Sequence, residues 1–376
     1  MKIVTRFYKH PRNTTGGPQK QMILIGEELI KKNIDFHYIV NRKNKIQKKF
    51  EIINGIKVHA LGNSADSSTT KIRKKILNSI YSLDLILFFK YFHKLNFDIY
   101  HLRGRSGFSG VWAFFTKIIK RKKYIFTIAS ILDCSSRSNH QYIMPNKWFY
   151  KIYKYGLKKA DVVICLSEYM KRALFQIHGI KSIVIKSGHP IPKGPCKKDY
   201  PPTILWMATL IERKKPELFL KIAEKLSKIN VNFLLIGPEE YMKQKIIDLS
   251  EEQKNFSFIP GVPSDKDNYF FEKASLFVCT AIFEGFPNTY IQAWLHETPV
   301  FSLHVDPDCI ICKEGLGYHA KGNINDLINK IEELIKNPSK LRMMGKKCRE
   351  YAIKNHDIQK TAEKHYKIYK LLLRKN

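Results

Sequence analysis

The chain has no run of the ~18–20 apolar residues that a membrane-crossing helix needs. Within residues 72–95 the longest charge-free apolar run is only Leu85–Phe89. The start, "MKIVTRFYKH", has no long apolar core after its basic residues, which argues against a secretory leader and for a cytoplasmic location. Acidic residues are scarce, 33 Asp and Glu against 66 Lys and Arg. Cysteines number seven, odd and scattered, which excludes a disulfide framework. Their one close pair, Cys309 and Cys312, has no second pair and no clustered His, so ordinary thiols are expected. A repeat of 20–50 residues is also absent.

What is present points to two globular domains. Single cores rarely grow past ~250–300 residues, and this chain has 376, of which 44% are hydrophobic. The net charge of +33 is uneven. Residues 1–187 hold 36 basic and 10 acidic residues (+26), and residues 188–376 hold 30 and 23 (+7). Such a field draws the first half toward something anionic.

Strand-like and helix-like segments alternate. "KIVTRF" (2–7), "FHYIV" (36–40), "FDIYHL" (97–102), "YIFTIAS" (124–130), "DVVICLS" (161–167) and "SIVIKS" (182–187) read as strands. A Gly-containing loop, "NTTGGPQ" (13–19), opens the first helix. "SGHPIPKGPCKKDYPP" (187–202) carries five prolines and two glycines, so it reads as a linker. The alternation then restarts with "TILWMA" (203–208), "VNFLLIG" (231–237), "FSFIPG" (256–261), "SLFVCT" (275–280) and "PVFSL" (299–303), and ends in helices at 323–336, 338–354 and 357–373. The expected architecture is α/β: two doubly wound, Rossmann-like domains facing a central cleft. The expected boundaries are 1–187, a linker at 188–202, a second domain at 203–356, and a last helix at 357–376.

Two loops carry chemistry. In "EGFPNTYIQAWLHETPV" (284–300), Glu284 follows a strand, and Asn288 and Thr289 are good N-caps for the helix that follows. The free N–H groups there suit a phosphate, and the carboxylate suits sugar hydroxyls. In "ATLIERKKPELFL" (208–220), Arg213, Lys214 and Lys215 precede a helix opened by Pro216, placing cations where a diphosphate could leave.

These pieces, with the "GGP" loop and "YGLKKADVVICLSEYMKRAL" (155–174), resemble the retaining GT-B glycosyltransferases of the family-4, group 1 kind over nearly the whole chain. The resemblance implies a nucleotide-sugar donor on the second domain and an acceptor on the first. It implies that Glu284 contacts the donor sugar and that Lys214, helped by Arg213, binds the diphosphate. Gly16 and Gly17 would approach the donor phosphate, and Phe286, Pro287, Asn288 and Thr289 would complete its contacts. Gln292 stands where the family often has a second Glu for the ribose; an amide oxygen accepts the same bond without the charge. Thr209 replaces a common Arg. The segment "FTIASILDC" (126–134) lacks a common His, leaving Asp133, His101 and Arg103 as acceptor-side candidates, with Ser130 a further polar residue. No cofactor and no divalent metal is implied, and Asp306-Pro-Asp308 is not expected to bind one.

The expected activity is hexosyl transfer to a glycan or lipid-linked acceptor in cell-surface polysaccharide or glycolipid synthesis. The basic, aromatic segment 71–95 suggests contact with an anionic membrane face. No nucleic-acid module appears. Two alternatives stay open: a nucleotide-sugar-binding protein without activity, and an epimerase on the same fold.

Overall fold

The computed structural model describes residues 1–7, 10–13, 16–41, 47–61, 96–104, 109–135, 147–238, 241–263 and 266–374. The segment 71–95 proposed for membrane contact lies outside them.

The strands form two sheets. The first holds β1 (Lys2–Arg6), β2 (Asp35–Asn41), β3 (Phe50–Ile53), β4 (Ile56–Leu61), β5 (Ile99–Arg103), β6 (Lys123–Thr127), β7 (Val162–Cys165) and β8 (Ile183–Val184). Their order is β3-β4-β2-β1-β5-β6-β7-β8, parallel except for β3. The second holds β9 (Thr203–Met207), β10 (Asn232–Ile236), β11 (Phe256–Ile259), β12 (Leu276–Cys279), β13 (Val300–Ser302) and β14 (Gly317–His319). Its order is β11-β10-β9-β12-β13-β14, all parallel.

Each predicted strand forms, and three strands, β3, β4 and β14, were not predicted. The β3–β4 hairpin turns on Asn54-Gly55, both at positive φ (49° and 82°). That dipeptide suits a two-residue hairpin turn, and its flanking residues were too mixed in polarity to attract notice. β14 is only three residues long, too short for a periodic signal.

In both sheets the strand order reverses at one place, between β1 and β5 and between β9 and β12. Loops leaving neighbouring parallel strands in opposite directions open a crevice at the strand C-termini. The two crevices face each other.

The chain then crosses back. His189 and Asp357 pair as a β-bridge, and the helix Ile358–Arg374 follows. That helix buries Ile358 and Tyr369 in the apolar cluster of the first domain with Met22, Ile25, Leu29 and Phe36. The linker is fastened to the second domain. Arg349 donates to the carbonyls of Pro192 (2.8 Å) and Leu295 (2.8 Å). Lys198 donates to the His296 carbonyl (2.5 Å) and the Thr298 hydroxyl (2.8 Å). Among the described residues no helix is long and apolar enough to cross a membrane.

Candidate active site

A cleft of about 320 Å³ lies between the domains, lined at the C-terminal ends of both sheets: the loop after β1, the end of β5 at Arg103, and the segments that follow β9, β10, β11 and β12. The second domain supplies the charge. After β9 a short turn, Glu212–Lys214, precedes the helix Pro216–Lys225. Its position is set from β12. The Trp206 indole donates to the Thr280 hydroxyl (2.9 Å), which donates to the Lys214 carbonyl (2.7 Å). Ile282 N–H donates to the Arg213 carbonyl (3.0 Å). The basic loop and the loop after β12 are thus one unit. Within it Glu284 pairs with Lys214 and, at 3.3 Å, with Arg213. Both Glu284 and Lys214 are mostly buried, so this pair is screened less than a surface pair.

The helix Asn288–Leu295 begins at the same point, with Pro287 as its N-cap and no side-chain cap. Asn288 therefore does not act as the predicted capping side chain. Its amide reaches across the cleft and donates to the Gly17 carbonyl (2.9 Å). Pro287, Asn288 and Thr289 line the cleft. The N–H groups of Asn288 and Thr289 are left without intrahelical partners by their position at the helix start, whereas that of Tyr290 donates to the Pro287 carbonyl (3.1 Å). Gln292 also lines the cleft, and its amide donates to Asn268 (3.1 Å).

The first domain meets this wall with glycines. Gly16 precedes the helix Gly17–Ile30, and both glycines face the cleft. A Cβ on Gly17 would sit 2.9 Å from the Asn288 amide, and one on Gly285 would sit 2.3 Å from the Ala129 carbonyl. The Gly285 contact is with backbone, so the closeness of the two domains requires Gly there; at Gly17 the Asn288 side chain would have to move aside. Lys20 and Asp267 add an ion pair across the cleft (2.8 Å).

The acceptor-side candidates separate. Arg103 lines the cleft with its side chain almost fully buried. It donates to the Ser187 hydroxyl (2.8 Å), its Nε has no partner among the described residues, and burial lowers its pKa to about 10. Asp133 does not reach the cleft wall. Its carboxylate accepts from the N–H groups of Ala129 and Ser130 (3.0 Å each), so it holds the loop that abuts Gly285. His101 is a correction too. It is fully buried, bonded to the Tyr369 and Thr127 hydroxyls (2.7 Å each), beneath the returning helix. Burial first, then His365 and Arg103, holds it neutral.

Three contributors escaped the sequence reading. Lys20 and Asp267 carried no motif. His356 packs its ring on Phe286 (4.9 Å between centroids) and donates to the Ser187 carbonyl (2.8 Å), so it seats the 284–287 turn on the crossover. Burial lowers its pKa to about 3. The Asp306-Pro-Asp308 string does not serve the cleft. Asp308 accepts from the N–H groups of Glu168 (3.0 Å) and Tyr169 (2.7 Å), capping the first-domain helix Glu168–His178.

Two family models match end to end: Glycosyltransferase Family 4 over residues 15–191, and Glycosyl transferases group 1 over residues 191–351. The chain belongs to the group 1 glycosyltransferases. Its fold is GT-B, as in this family's solved relatives. It superposes on sucrose-phosphate synthase from Thermosynechococcus elongatus with a TM-score of 0.82 at 17% identity, over 100% of both chains. It superposes on TarM with a TM-score of 0.73 at 14% identity, over 98% of both chains. In sequence it is 25% identical to an uncharacterized glycosyltransferase of Methanocaldococcus jannaschii over 54% of this chain and 57% of that one. It is 26% identical to the poly(ribitol-phosphate) alpha-N-acetylglucosaminyltransferase of Staphylococcus aureus, over 60% of this chain and 48% of that one. The match thus spans about half the length of these two relatives.

Proposed function

We propose that this group 1 glycosyltransferase moves a hexosyl group from a nucleotide sugar to a glycan or lipid-linked acceptor, with retention and without a divalent metal. The observation that carries the reading is the unit formed by Arg213, Lys214 and Glu284 at the start of the helix Asn288–Leu295. It sets two cations and free N–H groups beside one carboxylate, the pairing that a diphosphate joined to a sugar needs. The donor diphosphate takes Lys214 and Arg213, and Glu284 accepts from the sugar hydroxyls. The bond from the anomeric carbon to the diphosphate oxygen breaks, and the bond to the acceptor oxygen forms on the same face. The acceptor proton passes to the departing diphosphate, whose charge the cations and N–H groups stabilise. A protein nucleophile is not part of this scheme.

Arg103 supports an anionic ligand on the first-domain side: it is a buried guanidinium with no carboxylate partner among the described residues. A uridine donor is favoured by relatives of the same fold solved with UDP, TarM and an Anabaena protein. The poly(ribitol-phosphate) transferase suggests a polyanionic surface polymer as acceptor. The membrane proposal draws on a second surface. Phe114, Ile118 and Ile119 are exposed and immediately precede the basic run Lys120–Lys123 in the chain. A basic surface with apolar side chains suits an anionic leaflet at the cytoplasmic face.

The test is a panel of UDP-, GDP- and ADP-sugars with and without lipid extract and glycan acceptors, reading nucleoside diphosphate release and the product anomer. Retained configuration, with no dependence on added Mg²⁺, is expected. Binding without turnover under every condition, inverted product, or interconversion of the donor sugar would each overturn the reading. Failure to sediment with phosphatidylglycerol vesicles at low salt would sink the membrane component.

A further inference from the structure

Two strings that the cleft does not use come together at the edge of the second sheet. Asp306 and Cys312 lie in the turn and short helix after β13, and His319 ends β14. The fold brings a carboxylate oxygen of Asp306, Sγ of Cys312 and a ring nitrogen of His319 within 4.8 Å of one another. His319 Nε2 is shut off from solvent and has no partner among the described residues. Asp306 is held in place by the N–H groups of Ile311 (2.8 Å) and Cys312 (3.3 Å), and each carboxylate oxygen keeps a lone pair to spare.

We propose that Asp306, Cys312 and His319 bind a divalent ion of the zinc class. The donor set decides the class. Mg²⁺ and Ca²⁺ prefer oxygen ligands alone, whereas a thiolate with an imidazole and a carboxylate suits Zn²⁺ or Co²⁺. Zinc bonds of about 2.0–2.3 Å put tetrahedral ligand atoms roughly 3.3–3.8 Å apart. From a separation of at most 4.8 Å, closing to that spacing takes a shift of about 1 Å, and the exposed Cys312 side chain has room to turn toward the other two. The Cys312 thiol gives up its proton to solvent as the sulfur–metal bond forms, with no change of oxidation state. The fourth position is left to water.

The ion has a structural consequence. It ties β14 to the 306–312 turn, and that turn carries Asp308, the cap of the helix Glu168–His178 across the domain boundary. The metal therefore steadies the contact between the two domains at a point outside the cleft.

The test is Co²⁺ titrated into the chelator-treated full chain under reducing conditions, read by the sulfur-to-cobalt charge-transfer absorption. A band saturating at one equivalent is expected, lost in Cys312→Ser and kept in Cys309→Ser. His319→Gln lowers the affinity by at least about ten-fold, and so does Asp306→Asn. Because Asp306 also holds backbone, thermal unfolding of each variant is compared, and His319→Gln decides if Asp306→Asn does not fold. Absence of the band in the folded protein, its survival in Cys312→Ser, or unchanged affinity in His319→Gln overturns the assignment. None of these readouts depends on glycosyl transfer, so the proposal stands or falls apart from the reaction.

Discussion

The two walls of the cleft are built from opposite materials. The second domain lies in the half of the chain, residues 188–376, whose net charge is only +7, and supplies Arg213, Lys214 and Glu284 on short segments pinned by backbone hydrogen bonds. The first domain, at +26, meets them with Gly16, Gly17, the Ala129–Ser130 backbone, one buried guanidinium and Lys20, which is spent on Asp267. Domain charge and site charge are therefore different things. Among the described residues of the first domain, only Lys20 and Arg103 of the basic side chains line the cleft; the others can act on a surface or steer an anionic acceptor. The second domain concentrates a few charges where their geometry is fixed. One wall does the electrostatics, and the other sets the spacing.

The largest effect should come from removing the carboxylate of the charged wall. Glu284→Ala is expected to lower turnover by at least about 10³-fold, a loss comparable to that of a transition-state hydrogen-bonding group. Initial rates of nucleoside diphosphate release check it, and a loss under ten-fold would break the division of labour. Next is the spacing wall. Gly285→Ala puts a methyl 2.3 Å from the Ala129 carbonyl and forces the domains apart. A displacement near 1 Å predicts about a 10²-fold loss in kcat/KM. UDP affinity by calorimetry should change far less, because the charged wall is intact.

The crossover offers a pH test. His356, buried against Phe286, has its folded pKa lowered to about 3 from an ordinary 6.5. The unfolded chain binds the proton more readily between these values, so stability falls as pH drops below 6.5. From pH 7 to pH 5 this one group costs about 2 kcal/mol. Denaturant unfolding at both pH values should show His356→Gln less pH-sensitive than the parent by that amount. Equal sensitivity would show that other buried groups dominate. The smallest effect is Gln292→Ala. Losing one neutral hydrogen bond of about 1 kcal/mol predicts a roughly five-fold rise in donor KM with kcat unchanged. A fall in kcat instead would place Gln292 in the chemistry.

Much of the architecture was legible because its signals are local. Alternating strands and helices, the proline-rich linker and the "EGFPN" turn depend on neighbours within a few residues. The hairpin at Asn54-Gly55 was equally local and was missed because its flanking residues are mixed in polarity. The roles of Asp133 and His101 were not legible. His101 lies within β5 and Asp133 in the turn after β6, and a sequence shows no difference between facing the cleft and packing behind it. The return of the helix Ile358–Arg374 decides the matter for His101 by covering it with Tyr369.

The sequence alone determined that Glu284, Lys214 and the following helix start lie at strand C-termini, because strand, turn and helix follow from residue order. Only the tertiary structure decided who faces whom. Asn288 meets Gly17 across 271 residues, and Asp308 caps a helix 140 residues away. The same holds for Cys312, which read as a lone thiol beside Cys309 until β14 brought His319 to it. Such contacts depend on how two sheets and a returning helix pack, and packing brings together residues whose separation in the chain carries no periodic signal.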